Sequence, residues 1–86
     1  MPAEIDSWRP RDLAALLALD GDELRAGYRD GRDRDSPEPG PNRSPSYRHG
    51  WRCGAVDAGR IAMDAHDRTL ARAVLDHPGV LAGEGR

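Results

Sequence analysis

Hydrophobic and polar positions recur with a helical period in three stretches of this chain. In the first, Leu13, Leu16 and Leu17 fall at i, i+3 and i+4 on a run of strong helix formers and make one apolar stripe. Pro10 suits a first helical turn, where its missing N–H costs nothing, and Asp20-Gly21 is a turn pair, so a helix is predicted over 10–19. In the second, Asp22 reads as an N-cap and Glu23 favours the positive helix end. Leu24 and Tyr28 then share a face beside Gly27 and Gly31, which predicts a helix over 22–33 that frays through the alternating charges of Arg29–Asp35. In the third, Tyr47, Trp51, Gly54, Ala58, Ile61 and Ala65 step by 4, 3, 4, 3 and 4, a heptad-like seam lined by small residues. Ser44 and Pro45 read as N-cap and first helical position. The apolar pattern continues in a shifted phase through Leu70, Ala71, Ala73, Val74 and Leu75 and stops at Pro78-Gly79. The prediction is a helix over 45–77, as one rod or bent near Gly59.

Between the second and third stretches, residues 36–45 hold four of the seven prolines and predict a stiff, extended connector. Residues 1–8 and 78–86 read as a loose arm and a loose tail, with Val80 and Leu81 able to fold back onto a helix. The expected fold is all-α: one small domain of about three helices, with a helical hairpin across the Pro-rich connector. Composition supports this, with twelve Ala and eight Leu against two Ile, three Val and no Phe. A chain of 86 residues buries only a thin core, so helix pairing or a partner has to supplement it. An internal echo suggests how. Tyr28-Arg29-Asp30-Gly31 and Tyr47-Arg48-His49-Gly50 share the pattern Tyr-Arg-x-Gly. Glycine inside a helix costs roughly 1 kcal/mol relative to Ala, and close approach of a neighbouring backbone is the natural compensation. Tyr28, Tyr47 and Trp51 then fill the space between helices, and Gly27, Gly31, Gly50 and Gly54 are the contact points. The seam over 47–65 also offers a face for a homodimer.

Charge changes the picture modestly. All thirteen cations besides His are Arg, and the net charge is −2. Residues 1–24 carry a net −4, residues 25–60 a net +3 and residues 61–86 a net −1. An acidic front thus precedes a basic middle able to meet phosphate. Arg25, Arg29, Arg48 and Arg52 are the candidate contacts, since Arg is fork-shaped and permanently charged. No apolar run approaches the ~20 residues of a membrane span, and no basic start precedes an apolar run as in a secretion signal. The lone Cys53 precludes an internal disulfide and fits a reducing cytoplasm.

Candidate chemistry is sparse. His49, Cys53 and Asp57 at i, i+4 and i+8 would stack on one helix side, but His66 and His77 do not complete four zinc ligands at a natural spacing. His49 lies one turn from Cys53 and could in principle serve it as a base, yet no oxyanion-stabilising loop is visible. There is no phosphate-binding Gly loop and no Lys. The expectation is a non-enzyme without cofactor or metal.

Gly27-Tyr28-Arg29-Asp30-Gly31, a proline-containing connector, and Gly50-Trp51-Arg52 followed by small residues resemble the ribosome modulation factor family. That family includes short phage and mobile-element proteins and members linked with fluoroquinolone resistance. The resemblance covers roughly residues 22–60. It implies a helical hairpin binding the small ribosomal subunit near the messenger exit region and promoting inactive ribosome dimers. Carried over, Tyr28, Gly31, Gly50 and Trp51, with Tyr47 and Gly54 beside them, would be the hairpin framework. Arg29, Arg48 and Arg52 would face RNA. The chain departs from the family in its overall acidity, in Ser44-Pro45-Ser46-Tyr47 where the family has a Cys-Pro-Tyr element, and in its added N-terminal helix and C-terminal extension.

Two functions are therefore expected. One is a bacterial, ribosome- or rRNA-binding factor in stress or translation control. The other is a non-catalytic protein-binding module, of phage or mobile-element type, that modulates a host protein complex.

Overall fold

A computed structural model of the chain describes residues 7–77. They form four helices and, among the described residues, no strand: α1 (Leu13–Leu17), α2 (Gly21–Gly31), α3 (Pro45–Asp57) and α4 (Ala65–Asp76). The fold is a small all-α bundle, as composition and periodicity predict. None of these helices is long and apolar enough to cross a membrane. The tail over 78–86 and the first part of the arm lie outside the described residues.

The helix starts show how local chemistry sets the elements. Helix α1 begins later than predicted, because Asp12 rather than Pro10 opens it: its side chain accepts the N–H of Ala15 at 3.0 Å. Pro10 is buried instead, and its carbonyl lies 2.6 Å from His66 Nε2. Helix α2 is capped by Asp20, not Asp22. One Asp20 oxygen accepts from Asp22 N at 2.9 Å and Glu23 N at 3.0 Å, leaving Asp22 and Glu23 in the first turn at the positive pole. Helix α3 starts as predicted, with Ser44 accepting from Tyr47 N and Pro45 at the first position. Helix α4 opens on a reciprocal box: Asp64 accepts from Asp67 N and Asp67 accepts from Asp64 N, each at 2.9 Å.

The predicted helix over 45–77 is two helices, and the break is at Gly59 as in the bent alternative. Gly59 takes φ +78° just past the C-cap Ala58. Arg60 N donates to Ala55 O at 2.8 Å and Gly59 N to Val56 O at 3.0 Å, the paired bonds that close a helix with glycine in the left-handed region. Periodicity alone misses this stop because the apolar phase resumes a few residues later. The 47–65 seam is therefore not one face. Tyr47, Trp51 and Gly54 are buried against α2, whereas Ala58 and Ala65 are exposed and Ile61 is half-buried. The homodimer face expected there does not exist as a continuous surface.

The core is the α2–α3 pair. A Cβ on Gly27 would lie 2.0 Å from the carbonyl oxygen of Tyr47, and one on Gly31 2.0 Å from that of Trp51. Reciprocally, a Cβ on Gly50 would lie 2.0 Å from Leu24 O, and one on Gly54 2.1 Å from Tyr28 O. Each helix thus carries Gly-x-x-x-Gly and receives the other's backbone in the gap, the arrangement by which small residues bring helices together without large side chains. The ridge Leu24–Tyr28 lies along Gly50–Gly54, and Gly27–Gly31 along Tyr47–Trp51, so the two helices run in the same sense. Their ends agree. Asp20 N donates to Ser46 Oγ at 2.8 Å where both helices begin, and Arg60, just past α3, donates to Gly31 O at 2.8 Å where α2 ends. The two helices do pair across the connector, but not as the expected hairpin, whose helices would run antiparallel: the connector is a crossover that returns the chain along α2, roughly 16 Å at 1.5 Å per residue. The expected extended connector is not extended throughout: it turns at 33–36 and again at 40–43, where Ser36 N donates to Asp33 O at 2.9 Å and Arg43 N donates to Gly40 O at 3.1 Å. The side chains of Tyr47 and Trp51, each 5 % exposed, flank the glycine contact with Ala55.

Candidate functional site

The four predicted arginines separate into two pairs. Arg25 and Arg29, one turn apart on α2, are 74 % and 77 % exposed and bound only to acids of their own helix, Asp22 and Asp30. They remain available to a partner. Arg48 and Arg52 of α3 are engaged inside the molecule. The Arg48 guanidinium stacks 4.5 Å from the Trp8 ring centroid. Arg52 donates through Nε to both oxygens of Asp67, at 2.9 and 3.1 Å, and through one terminal nitrogen at 2.7 Å. The expectation that Arg48 and Arg52 face RNA does not describe this structure, because an N-terminal strap of residues 7–10, together with α4, covers that side of α3.

Three residues absent from the predicted set, Arg9, Asp64 and Asp67, complete this cluster. Arg9, itself only 9 % exposed, donates to Asp64 at 2.9 and 3.1 Å and to Asp67 at 2.8 Å. Arg9 and Arg52 therefore balance Asp64 and Asp67. Hydrogen bonds from Arg9 hold the Asp64 carboxyl well below the usual carboxylate range. Burial pushes Asp67 up, but bonds from Arg52 and from the Asp64 backbone outweigh it and leave Asp67 lowered as well. The spacing Asp64-x-x-Asp67 before an apolar run is a legible helix-start signal. Nothing local predicts that Arg9, 55 residues away, supplies the counter-charge. Further along α4, Arg68 donates to Met63 O at 3.2 Å, and Arg72 pairs with Asp76 at 3.3 Å.

Tyr28, Gly31, Tyr47, Gly50, Trp51 and Gly54 all lie at the α2–α3 contact. All four aromatic rings carry an arginine: Arg32 on Tyr28, Arg43 on Tyr47, Arg48 on Trp8 and Arg60 on Trp51, at 5.8, 3.6, 4.5 and 4.9 Å. Tyr47 and Trp51, buried and each covered by an arginine, offer no platform for a base. The tyrosine hydroxyls are also bound: Tyr28 donates to Asp57 at 2.5 Å and Tyr47 donates to Asp30. Arg60 has a further duty, donating to the carbonyls of Gly31, Asp33 and Ser36 at 2.8, 2.7 and 2.8 Å and so closing the C-terminal end of α2.

A cleft of about 210 Å³ lies among α1, α3 and α4, walled by Leu16, His49, Cys53, Val56, Leu70 and Val74. His49 is 6 % exposed, its Nε2 is 3.4 Å from Cys53 Sγ, and its Nδ1 has no protein partner. Burial lowers the His49 pKa to about 4, with Asp67 opposing and Arg9 and Arg52 adding to the shift. Burial, with Asp67 and Asp57, pushes the Cys53 thiol up to about 11 against the pull of Arg52. At neutral pH the pair is an uncharged imidazole beside a thiol. Asp57, third in the predicted stripe, is turned to Tyr28, and no group of three or more metal-ligating side chains forms among the described residues. What the cleft can accept is an apolar group. Comparison of the chain with protein-family models, curated proteins and solved structures finds no match.

Proposed function

We propose that this chain is a ribosome modulation factor-like helical protein that binds ribosomal RNA without catalysis, in the bacterial cytoplasm and in the service of stress or translation control. The observation that carries the reading is that the glycines of the Gly-Tyr-x-x-Gly and Gly-Trp-Arg elements, which carry the resemblance, interlock at the α2–α3 contact. Arg25 and Arg29 on the free side of α2 supply the phosphate contacts. The protonated thiol of Cys53 and the neutral His49 support a binding rather than a catalytic role.

Co-sedimentation with ribosomes over a salt series tests it. Binding should weaken as salt rises, and Arg25→Glu with Arg29→Glu should lower both the affinity and, by about 2, the slope of log K against log salt. Both side chains are exposed, so the variant keeps its fold. Sedimentation indifferent to salt and to both charges refutes the proposal. The cleft favours a second reading, a module that seats an apolar side chain of a host protein. Capture of one stoichiometric protein, retained through the salt step and lost on Val74→Glu, would favour it over RNA.

A further inference from the structure

Helix α4 meets the rest of the molecule unevenly. Its first turn is bound by charge, through Arg9 and Arg52 on Asp64 and Asp67. Beyond that turn its apolar side is only partly used. Leu70 is buried, Ala71, Ala73 and Val74 are half-buried, and Leu75 is 73 % exposed. The cleft separates this side of α4 from α3. A close-packed helix would fill such a volume with dispersion contacts, so the charges carry a large share of what holds α4 in place. The same charges occupy Arg52. Next to Arg9, Trp8 occupies Arg48, and His66 of α4 meets the carbonyl of Pro10. Strap and helix thus close together over one face of α3.

We propose that the strap 7–10 and α4 form a charge-held latch that masks Arg48 and Arg52, released when RNA phosphates compete with Asp64 and Asp67 for Arg52. The inference rests on the RNA-binding reading above. Asp67 presents both of its oxygens to the Nε edge and one terminal nitrogen of Arg52, the fork that a phosphate matches equally well. Arg25 and Arg29 make the first contact on α2, and release of the latch then adds Arg48 and Arg52. Latch opening also uncovers Cys53, the only thiol, which lies in the cleft beside α4.

The test uses the full chain and reads Cys53 alkylation by a neutral maleimide at fixed pH, alongside fluorescence anisotropy with a labelled single-stranded RNA 20-mer. Arg9→Gln and Asp67→Asn each remove hydrogen-bonded charge from the latch and should speed labelling roughly tenfold, with helix content unchanged by circular dichroism. Added RNA should speed labelling of the natural chain and add little in the variants, which should bind RNA more tightly. Should Asp67→Asn lose helix through its role in the capping box, Arg9→Gln, which leaves the box intact, decides. Labelling rates equal to the natural chain in Arg9→Gln overturn the latch. RNA that binds the natural chain without speeding its labelling overturns the release step. Absence of any anisotropy change, in natural chain and variants alike, overturns the RNA reading itself, and with it the release step, whatever the labelling shows.

Discussion

Replacing Gly54 by Ala tests the α2–α3 contact most directly. The added methyl carbon would sit 2.1 Å from Tyr28 O and 3.0 Å from the carbon of the same carbonyl. Carbon and carbonyl oxygen do not approach much below roughly 3.3 Å, so the helices must part by about 1 Å at this point. The obstructing atoms are backbone, and no rotamer change relieves them. Parting also loosens the three other glycine contacts, because all four lie on one pair of rigid helices. Overpacking in a filled core costs about 1–3 kcal/mol, and this case belongs at the upper end. Against it stands about 1 kcal/mol gained when Ala replaces Gly in a helix. The net expectation is destabilisation by about 2 kcal/mol, which lowers Tm by about 8–16 °C in a domain of this size. Thermal unfolding followed by far-ultraviolet circular dichroism measures it. Gly21→Ala is the control, since its Cβ would meet only the flexible Arg25 side chain, at 3.4 Å. If Gly54→Ala melts at or above the natural chain, propensity has won, and the helices are not locked by backbone contact.

Two further outcomes follow from the charges. His49 titrates near 4 in the fold and near ~6.5 unfolded, so the unfolded chain binds the extra proton between those values. Its contribution, roughly 3 kcal/mol at most, is complete above the unfolded pKa and is lost as pH falls through the window. Asp64 and Asp67, whose pKa values are lowered, add their loss only below the unfolded carboxylate range. Urea midpoints should therefore fall from pH 7 to pH 4, with a shallower fall in His49→Leu; equal slopes would show that another group carries the pH dependence. Arg60→Gln removes three charged bonds to carbonyls at the end of α2 and should cost about 2–3 kcal/mol in urea unfolding. Arg60→Lys should restore little of it, lacking the planar fork, and full rescue by Lys would leave charge alone as the cause.

How much of this was legible beforehand depends on the range of each interaction. The all-α class, the Ser44-Pro45 helix start and the role of Gly27, Gly31, Gly50 and Gly54 as contact points follow from sequence. Each rests on local backbone preference, or on the need to compensate a glycine inside a helix. Sequence also singled out Arg25, Arg29, Arg48 and Arg52, but treated them as equals. Only tertiary structure divided them, because burial depends on what a distant segment places alongside. Arg9 reaches Asp64 and Asp67 across more than fifty residues, and no spacing rule joins them. The same limit applies to the direction of the α2–α3 pair. A Gly-x-x-x-Gly face packs either way by pattern alone, and what selects the parallel sense is the set of end contacts, Asp20 to Ser46 and Arg60 to Gly31, made between elements far apart in the chain.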